Sequence, residues 1–293
     1  MMCDLVDVLS GKLQAEFVQR GGSKKSLFTY APLFVTGTGT DVGKTYVTAL
    51  LIRALREMVG SQETIGYYKI AISGAPNLEV SDAGYVYDQA QLAQYQKLSS
   101  STSYLFAEPV SPHLAAKHTK TPIKMDVIAH DMMEVMFNHH LTVMEGSGGI
   151  FCPLSWPVVE PLKDKEQVVA VAALGQRKVA FNEQGEPEQM LVQDWMQAAD
   201  KAFALRVIVV ANAGLGVIND VLTTLVSMQV YGYKPEQMGV ILNNFRDEPM
   251  YHDNLAMIEA MSNGVPVIAT VAEGEQQLQW YKERQPHCLL RVV

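Results

Sequence analysis

Short apolar runs alternate along this chain with longer stretches in which apolar residues recur every three or four positions. The runs read as strands are 32–35, 65–69, 141–145, 207–211, 238–243 and 265–269. Helical spacing recurs between them, at 46–55, 113–118 with 124–138, 219–230 and 252–262. Repeated strand–helix units of this kind predict an α/β fold, with a mostly parallel sheet and helices on both of its faces.

The pattern predicts one domain over 29–293, because no Pro/Ser-rich or strongly charged linker divides that range. Before it, apolar residues within 5–17 recur at helical spacing, which predicts an N-terminal helical extension over 1–28. This extension is open to three interpretations: a cap on the core, a partner contact, or part of a leader. Within the domain, 163–190 turns polar, and the alternation of Val179 with Phe181 favours a small inserted hairpin.

The first strand leads directly into a glycine loop that ends in Gly43-Lys44-Thr45 and opens a helix. Strand, glycines, lysine, hydroxyl and helix follow in the order that a P-loop requires, since backbone N–H groups and the helix N-terminus then surround phosphate oxygens. Lys44 is expected to reach the β and γ phosphates, and the Thr45 hydroxyl to bind Mg²⁺. The alternative is an ordinary strand–turn–helix with a chance lysine. The predicted nucleotide-binding residues of the loop are Gly39, Thr40, Asp41, Val42, Gly43, Lys44 and Thr45.

Polar residues also follow other strands. Lys69, Glu145 and Asn243 each stand at or near the end of an apolar run. In parallel sheets the ligand lies outside the carboxyl ends of the strands, so we expect these side chains beside the P-loop.

Composition narrows the class of protein. A net charge of −8 argues against general nucleic-acid binding, which needs clustered Lys and Arg. No apolar run approaches the length of a membrane span. The cysteines Cys3, Cys152 and Cys288 are far apart, which favours a reduced, cytoplasmic chain over a disulfide framework or zinc site. We expect Cys152 in the core and the pair His139-His140 at a solvated helix end.

Six segments in register carry a resemblance to a known family. They are 35–45, 66–74, 81–83, 104 with 106–116, 145–149 with 153–154, and 214–219. Together they resemble the motifs of the dethiobiotin synthetases, P-loop enzymes of biotin synthesis. The family's five-residue gap between the loop glycines is present between Gly37 and Gly43.

The resemblance implies a reaction and its small-molecule partners. An amine of 7,8-diaminopelargonic acid takes up CO₂ as a carbamate, which attacks the γ-phosphate of ATP to give a carbamic–phosphoric anhydride. The second amine then closes the ureido ring and releases phosphate. The resemblance further implies Mg²⁺, ATP as a substrate, and a homodimer.

The resemblance also implies roles for the residues that carry the chemistry. Lys44 neutralises the phosphates, while Thr45, Asp82 and Glu145 hold Mg²⁺. Lys69 stabilises the carbamate and the anhydride that forms from it. The hydrogen-bond donors to carbamate or phosphate are Thr40 and Ser73.

Further positions follow from the same resemblance. Gly148 and Gly149 let the substrate approach the backbone, and Asn243 contacts the purine. Asp41 takes the place of the family's P-loop acid. The segment that reaches the partner subunit's substrate contains Leu215, Gly216 and Asn219.

Departures from the family leave alternatives open. Gly39 stands where the family often has an acid, and Ile70 where it has proline. The segment 270–274 lacks the family's Pro-rich turn beside the base, so nucleotide preference stays open. The alternatives are a related P-loop ATPase or amide-forming ligase, and a nucleotide-binding regulatory homologue without turnover.

Overall fold

A sheet of eight strands forms the centre of the computed structural model, which describes residues 29–60, 62–156, 179–182, 186–281 and 290. Its strands are β1 Leu33–Gly37, β2 Ile65–Ser73, β3 Thr102–Phe106, β4 Leu141–Gly149, β7 Arg206–Asn212, β8 Met238–Phe245, β9 Val267–Ala272 and β10 Gln279–Trp280. Their spatial order is β10-β9-β8-β7-β1-β4-β2-β3, and only β10 runs antiparallel to its neighbour among these described strands. A separate antiparallel pair joins β5 Pro153–Ser155 to β6 Met190–Leu191.

Helices cover both faces of the sheet. They are α1 Lys44–Val59, α2 Asp82–Gln89, α3 Pro112–His118, α4 Met125–Asn138, α5 Val192–Phe203, α6 Val217–Val230 and α7 Pro249–Met261. Short 3₁₀ turns lie at Leu92–Gln94, Leu98–Ser100 and Pro235–Gln237. One apolar cluster packs α1 and α2 on one face, and a larger cluster packs α3 to α7 on the other. The predicted α/β fold with a mostly parallel, doubly covered sheet is therefore confirmed.

Strand β1 shows why the apolar runs fold as central strands. Phe34 belongs to the larger cluster, whereas Leu33 and Val35 belong to the smaller one. Successive side chains of a strand point to opposite faces, so a strand covered on both sides has to be apolar throughout.

The predicted strands are present, although several bounds differ. β2 and β4 continue beyond their predicted ends to Ser73 and Gly149, so Lys69 and Glu145 lie in the middle of their strands. β9 begins at Val267, two residues after the predicted start at 265. Pro266 has no N–H to donate, and its carbonyl only accepts from the Val240 N–H. The apolar pattern does not reveal β3, because this short edge strand bonds to β2 alone and carries the polar residues Thr102 and Ser103.

The expectation for His139 was wrong. Its side chain is 6% exposed at the end of α4, and its ring nitrogens lie 2.7 Å from the Val135 carbonyl and 3.2 Å from the Tyr95 carbonyl. The contact with Tyr95 comes from a distant part of the chain, so local polarity did not disclose the burial. The neighbouring His140 accepts from the Thr64 N–H at 3.0 Å.

Two predicted segments lie wholly or partly outside the described residues. The helical extension 1–28 is one of them. Of the insertion 163–190, the structure describes 179–182 and 186–190, where Phe181 and Pro187 form an antiparallel bridge and Met190 begins β6. In the ranges that are described, no helix is both long and apolar enough to span a bilayer.

We predict that Gly66→Ala destabilises the fold by about 1–3 kcal/mol. Gly66 is buried in β2, and a Cβ there would lie 2.6 Å from His139 Nδ1 and 2.7 Å from Val135 Cγ1. Urea unfolding measures the loss. The control is Gly39→Ala, because a Cβ at Gly39 meets no atom within 4 Å; it should stay within about 0.5 kcal/mol. Equal midpoints for both variants would show that the β2–α4 contact is looser than described.

Candidate active site

The loop between β1 and α1 has the backbone shape of a phosphate cradle. Gly43 caps α1 in the left-handed region at φ 89°, and Asp41 takes φ 59° although it is not glycine. A Cβ at Gly43 would lie 2.1 Å from the Asn243 side-chain amide, so only glycine fits there. A non-glycine residue held in this region is a strained conformation of the kind that clusters at ligand-binding loops.

Lys44 folds back onto this loop. Its Nζ donates to the Gly39 carbonyl at 2.7 Å, and its side chain is largely buried. Burial, together with repulsion from Lys69, lowers the pKa of the Lys44 ammonium. An ammonium with this environment gains from any anion that enters the loop.

Beside the loop, a buried ammonium lies between two carboxylates. Lys69 Nζ is 2.6 Å from Glu145 Oε1 and 2.6 Å from Asp82 Oδ2. Lys69 and Glu145 face each other because β2 and β4 are parallel neighbours with these residues in register. Asp82 comes from the first residue of α2, which Ser81 caps by accepting from the Gly84 N–H.

In this cluster the neighbouring charges together change the pKa values more than burial does. Burial alone would lower the pKa of Lys69, but Glu145 and Asp82 together raise it. Burial alone would raise the pKa of Asp82, yet the adjacent Lys69 ammonium holds it below its usual range. The Glu145 side chain is 0% exposed, whereas that of Asp82 is 45% exposed. One carboxylate is therefore fixed in the protein, and the other stands at the solvent side of the ammonium.

The cluster is joined to the P-loop through Thr45. The Thr45 hydroxyl donates to Glu145 Oε1 at 2.8 Å. The second oxygen of Glu145 accepts from the Tyr67 hydroxyl at 3.2 Å. Burial raises the pKa of that phenol well above its ordinary value, so it is present as a donor. Thr45 and Lys69 thus share one oxygen of Glu145, and Lys69 links that oxygen to Asp82.

Two adjoining cavities lie next to these groups; Thr45, Lys69 and Asp82 line the larger one, whereas the buried Glu145 and Tyr67 line neither. The larger, of about 1030 Å³, lies over the loop and the charge cluster, and the smaller, of about 480 Å³, lies behind the first half of the loop. Thr40, Gly148 and Cys152 line both. The predicted residues in the wall of the larger cavity are Thr40, Asp41, Gly43, Lys44, Thr45, Lys69, Ser73, Asp82 and Gly148.

The end of β4 packs closely against the loop. Gly148 has φ 62°, and a Cβ there would lie 3.2 Å from Cys152 Cβ. Gly149 lines the smaller cavity, where a Cβ would come within 3.4 Å of the Gly37 carbonyl. The prediction that Cys152 is a core residue was wrong in part, because its half-buried side chain also lines both cavities. Burial raises the pKa of its thiol to about 11.

Ser73 is the last residue of β2, four residues after Lys69, and lies in the wall of the larger cavity. Its buried hydroxyl oxygen has no hydrogen-bond partner among the described residues. Ser147, on the neighbouring strand, donates instead to the Ala71 carbonyl at 2.6 Å. A buried hydroxyl without a partner is costly, which makes Ser73 a ready donor for a ligand.

Other predicted residues lie apart from the two cavities. Leu215 is 93% exposed, and neither it nor Gly216 or Asn219 lines either cavity. Asn243 lies behind the loop, where its side-chain amide donates to the Val42 carbonyl at 3.2 Å. Its contact with a purine stays a prediction.

Some cavity residues were missed by sequence reasoning. The wall of the larger cavity includes Tyr46, Val80 and Tyr85, which belong to none of the sequence motifs. Tyr67 was missed too, although a usable signal exists: it stands two residues before Lys69, so both side chains point to the same face of β2.

Comparison with known proteins places this geometry in a family. The sequence matches the family described as AAA domain over residues 31–156 and 158–279. It is 35% identical to the ATP-dependent dethiobiotin synthetase BioD of Clostridium botulinum strain 657, over 75% of this chain and 81% of that protein. The corresponding protein of strain Alaska E43 is 33% identical, over 79% of this chain and 86% of that protein.

Among solved structures, the chloroplast FtsY of Physcomitrella patens is similar with a TM-score of 0.42 and 14% identity, over 97% of this chain and 72% of that one. No inference is drawn from a likeness of this size. The sequence matches are sufficient, since they extend over most of both chains: this chain belongs to the AAA-domain family and to the ATP-dependent dethiobiotin synthetases.

Proposed function

We propose that this protein carboxylates 7,8-diaminopelargonic acid with CO₂ and closes the ring to dethiobiotin at the expense of ATP. The observation that carries the proposal is the Lys69 ammonium, which lies between Glu145 and Asp82 and next to the P-loop hydroxyl of Thr45. The names of the relatives support the same reaction.

The proposed reaction has three steps. One substrate amine adds to CO₂ and loses a proton, giving a carbamate. A carbamate oxygen attacks the γ-phosphorus, and the bond to the bridging oxygen breaks, which releases ADP and leaves a carbamic–phosphoric anhydride. The second amine attacks the carbonyl carbon, and phosphate leaves as the ureido ring closes.

Positioned charge supplies the catalysis that this sequence needs. Phosphoryl transfer asks little covalent help of a protein and depends on orientation and charge neutralisation. Lys44, already inside the loop, neutralises charge on the β and γ phosphates. Lys69 faces the carbamate and anhydride oxygens, where negative charge accumulates, and Thr40 and Ser73 donate hydrogen bonds from the cavity wall.

The chain offers a donor set that suits Mg²⁺. The Thr45 hydroxyl contacts Glu145, and Lys69 Nζ contacts both Glu145 and Asp82, so these three oxygen-bearing residues are close neighbours; oxygen is the ligand type that this hard ion prefers. Among the described residues, no group of three or more His, Cys, Asp or Glu side chains could hold a metal ion. The proposed magnesium ligands are therefore two carboxylates and one hydroxyl. Few protein ligands plus substrate phosphates is the usual magnesium arrangement. The bound ion would neutralise phosphate charge during transfer.

Several finer expectations remain proposals. Gly148 and Gly149 admit the substrate close to the backbone, and Leu215, Gly216 and Asn219 serve the site of a second copy in a homodimer. Asn243 contacts the purine. A cytoplasmic location likewise stays a prediction from the cysteine pattern.

The first test measures phosphate release from Mg·ATP and bicarbonate, with and without the diamine, and detects the organic product by mass. We expect release that depends on the diamine and a product with the mass of dethiobiotin. Release that ignores the diamine would favour a related P-loop ATPase or an amide-forming ligase. No release with any of these reactants would favour the regulatory alternative.

The second prediction concerns Lys69→Ala. Ring closure should fall by about 10²–10³-fold, as when one preorganised donor is removed from a developing charge. Nucleotide binding should survive, because Lys44 and the loop backbone hold the phosphates. Steady-state turnover and equilibrium nucleotide binding measure the two effects. The matched control is Lys97→Ala, an exposed lysine, which should behave like the parent. Turnover at the parental rate in the Lys69 variant would refute the assigned role.

The same variant gives a third prediction, about stability. Without Lys69, the buried Glu145 carboxylate loses its cation, which costs about 3–5 kcal/mol when a buried pair is broken. Mg²⁺ should therefore raise the thermal midpoint of Lys69→Ala more than that of the parent, since the ion replaces the missing charge. Equal shifts in differential scanning calorimetry would argue against metal binding at these oxygens.

A further inference from the structure

We propose that Tyr67 is a positioning residue for the magnesium–phosphate centre, because its phenol fixes the Glu145 carboxylate that faces this centre. The inference rests on the proposed function for the identity of the bound groups. Tyr67 lies within the segment 66–74 that carries part of the family resemblance. Neither that resemblance nor the matched relatives assign it a role.

The geometry divides the two oxygens of Glu145 between two kinds of partner. Oε1 accepts from the Thr45 hydroxyl at 2.8 Å and from Lys69 Nζ at 2.6 Å, and both of these donors line the larger cavity. Oε2 accepts from the Tyr67 hydroxyl at 3.2 Å, on the inner side. The phenol therefore acts together with Thr45 and Lys69 to fix the orientation of the carboxylate plane.

Burial makes this contact necessary. Both Tyr67 and Glu145 are fully buried, so solvent does not replace the phenol as a donor to Oε2. The terminal torsion of a glutamate is broad and roughly two-fold, so packing alone holds a carboxylate loosely. A donor on the inner oxygen restricts that torsion and keeps Oε1 directed at Thr45 and Lys69.

The backbone of Tyr67 is itself fixed by a side chain. Gln96 accepts from the Tyr67 N–H at 2.8 Å and donates to the Tyr67 carbonyl at 2.8 Å. The pairing of β2 with β3 starts only at Lys69, opposite Thr102. On this side of β2, the Gln96 amide therefore takes the place of a strand partner for Tyr67. Tyr87 in turn donates to the Gln96 carbonyl at 2.7 Å. This chain of bonds holds the phenol where Glu145 needs it.

The adjacent tyrosine provides a matched control. Tyr68 is also fully buried in β2, but its side chain points to the opposite face of the sheet. Its hydroxyl lies 2.6 Å from Ser103 Oγ and 3.3 Å from the Ile128 carbonyl, away from the charge cluster. Tyr67→Phe and Tyr68→Phe thus each remove one buried phenolic hydroxyl from the same strand.

The experiment is a calorimetric titration of Mg²⁺ into protein saturated with a non-hydrolysable ATP analogue. We expect Tyr67→Phe to bind Mg²⁺ about 10-fold more weakly, as is typical when the partner of a metal-ligating carboxylate is lost. Tyr68→Phe should match the parent, and the affinity for the analogue without metal should be equal in all three proteins. Equal Mg²⁺ affinities of Tyr67→Phe and Tyr68→Phe would overturn the proposal.

A double-mutant cycle separates positioning from general structural damage. If Tyr67 acts through Glu145, then Tyr67→Phe should add no further loss of Mg²⁺ affinity in a Glu145→Gln background. Fully additive losses would contradict this route. Should Tyr67→Phe fail to fold, Gln96→Met decides, since it removes the two hydrogen bonds of Gln96 to the Tyr67 backbone and should weaken Mg²⁺ binding in the same direction. Parental Mg²⁺ affinity in Gln96→Met would then overturn the proposal.

The titration contains no diamine, so its outcome is distinguishable from failure of the proposed function. Weaker Mg²⁺ binding by Tyr67→Phe in a protein that makes no dethiobiotin would support the positioning role in another Mg·ATP reaction. Dethiobiotin formation with unaltered Mg²⁺ binding by Tyr67→Phe would leave the function standing and remove the role of Tyr67.

Discussion

The buried ion cluster of Lys69 with Glu145 and Asp82 is the constraint on which the site depends. An isolated charge in a protein interior is prohibitively costly, and one ammonium contacting two carboxylates at 2.6 Å makes burial tolerable. Such a cluster adds little net stability compared with apolar packing. Its presence in the middle of the neighbouring strands β2 and β4 is better explained by chemistry than by folding, because it holds a cation and two acidic groups, one fully buried and one at the solvent side.

The glycines around the cluster perform a complementary task. Gly43 leaves room for the Asn243 amide, and Gly149 approaches the carbonyl of Gly37. These contacts bring the ends of β1 and β4 and a side chain of β8 close to the loop. A side chain at Gly43 would force the loop away from β8. The shape of the loop therefore depends on its contacts with β4 and β8, and the sequence motif alone does not describe these contacts.

The sequence pattern predicts those parts of the fold that depend on residues close together in the chain. The run around Phe34 is apolar on both faces of a central strand, so its place in the sheet can be predicted from the sequence. The glycine loop that follows can be predicted in the same way. His139, Cys152 and Tyr67 were misread or missed because their surroundings come from distant segments. The contact of His139 with Tyr95 spans 44 positions, and that of Tyr67 with Glu145 spans 78. For Tyr67 the strand period of two indicates only that its side chain shares a face with Lys69, and for His139 no composition or periodicity nearby indicates the contact.

Strand register connects the fold to the chemistry. Lys69 lies opposite Glu145 because β2 and β4 pair in parallel from Ile65 and Leu141 onward. The side-chain period of a strand is two, so a slip of one residue would turn Lys69 into the apolar cluster that holds Tyr68 and Ile70. That slip would bury an ammonium without a partner and leave Glu145 without its cation. The charge cluster therefore selects the register that the apolar pattern also favours. The same alignment brings the Tyr67 phenol, the Lys69 ammonium and the Glu145 carboxylate together, and α2 adds Asp82.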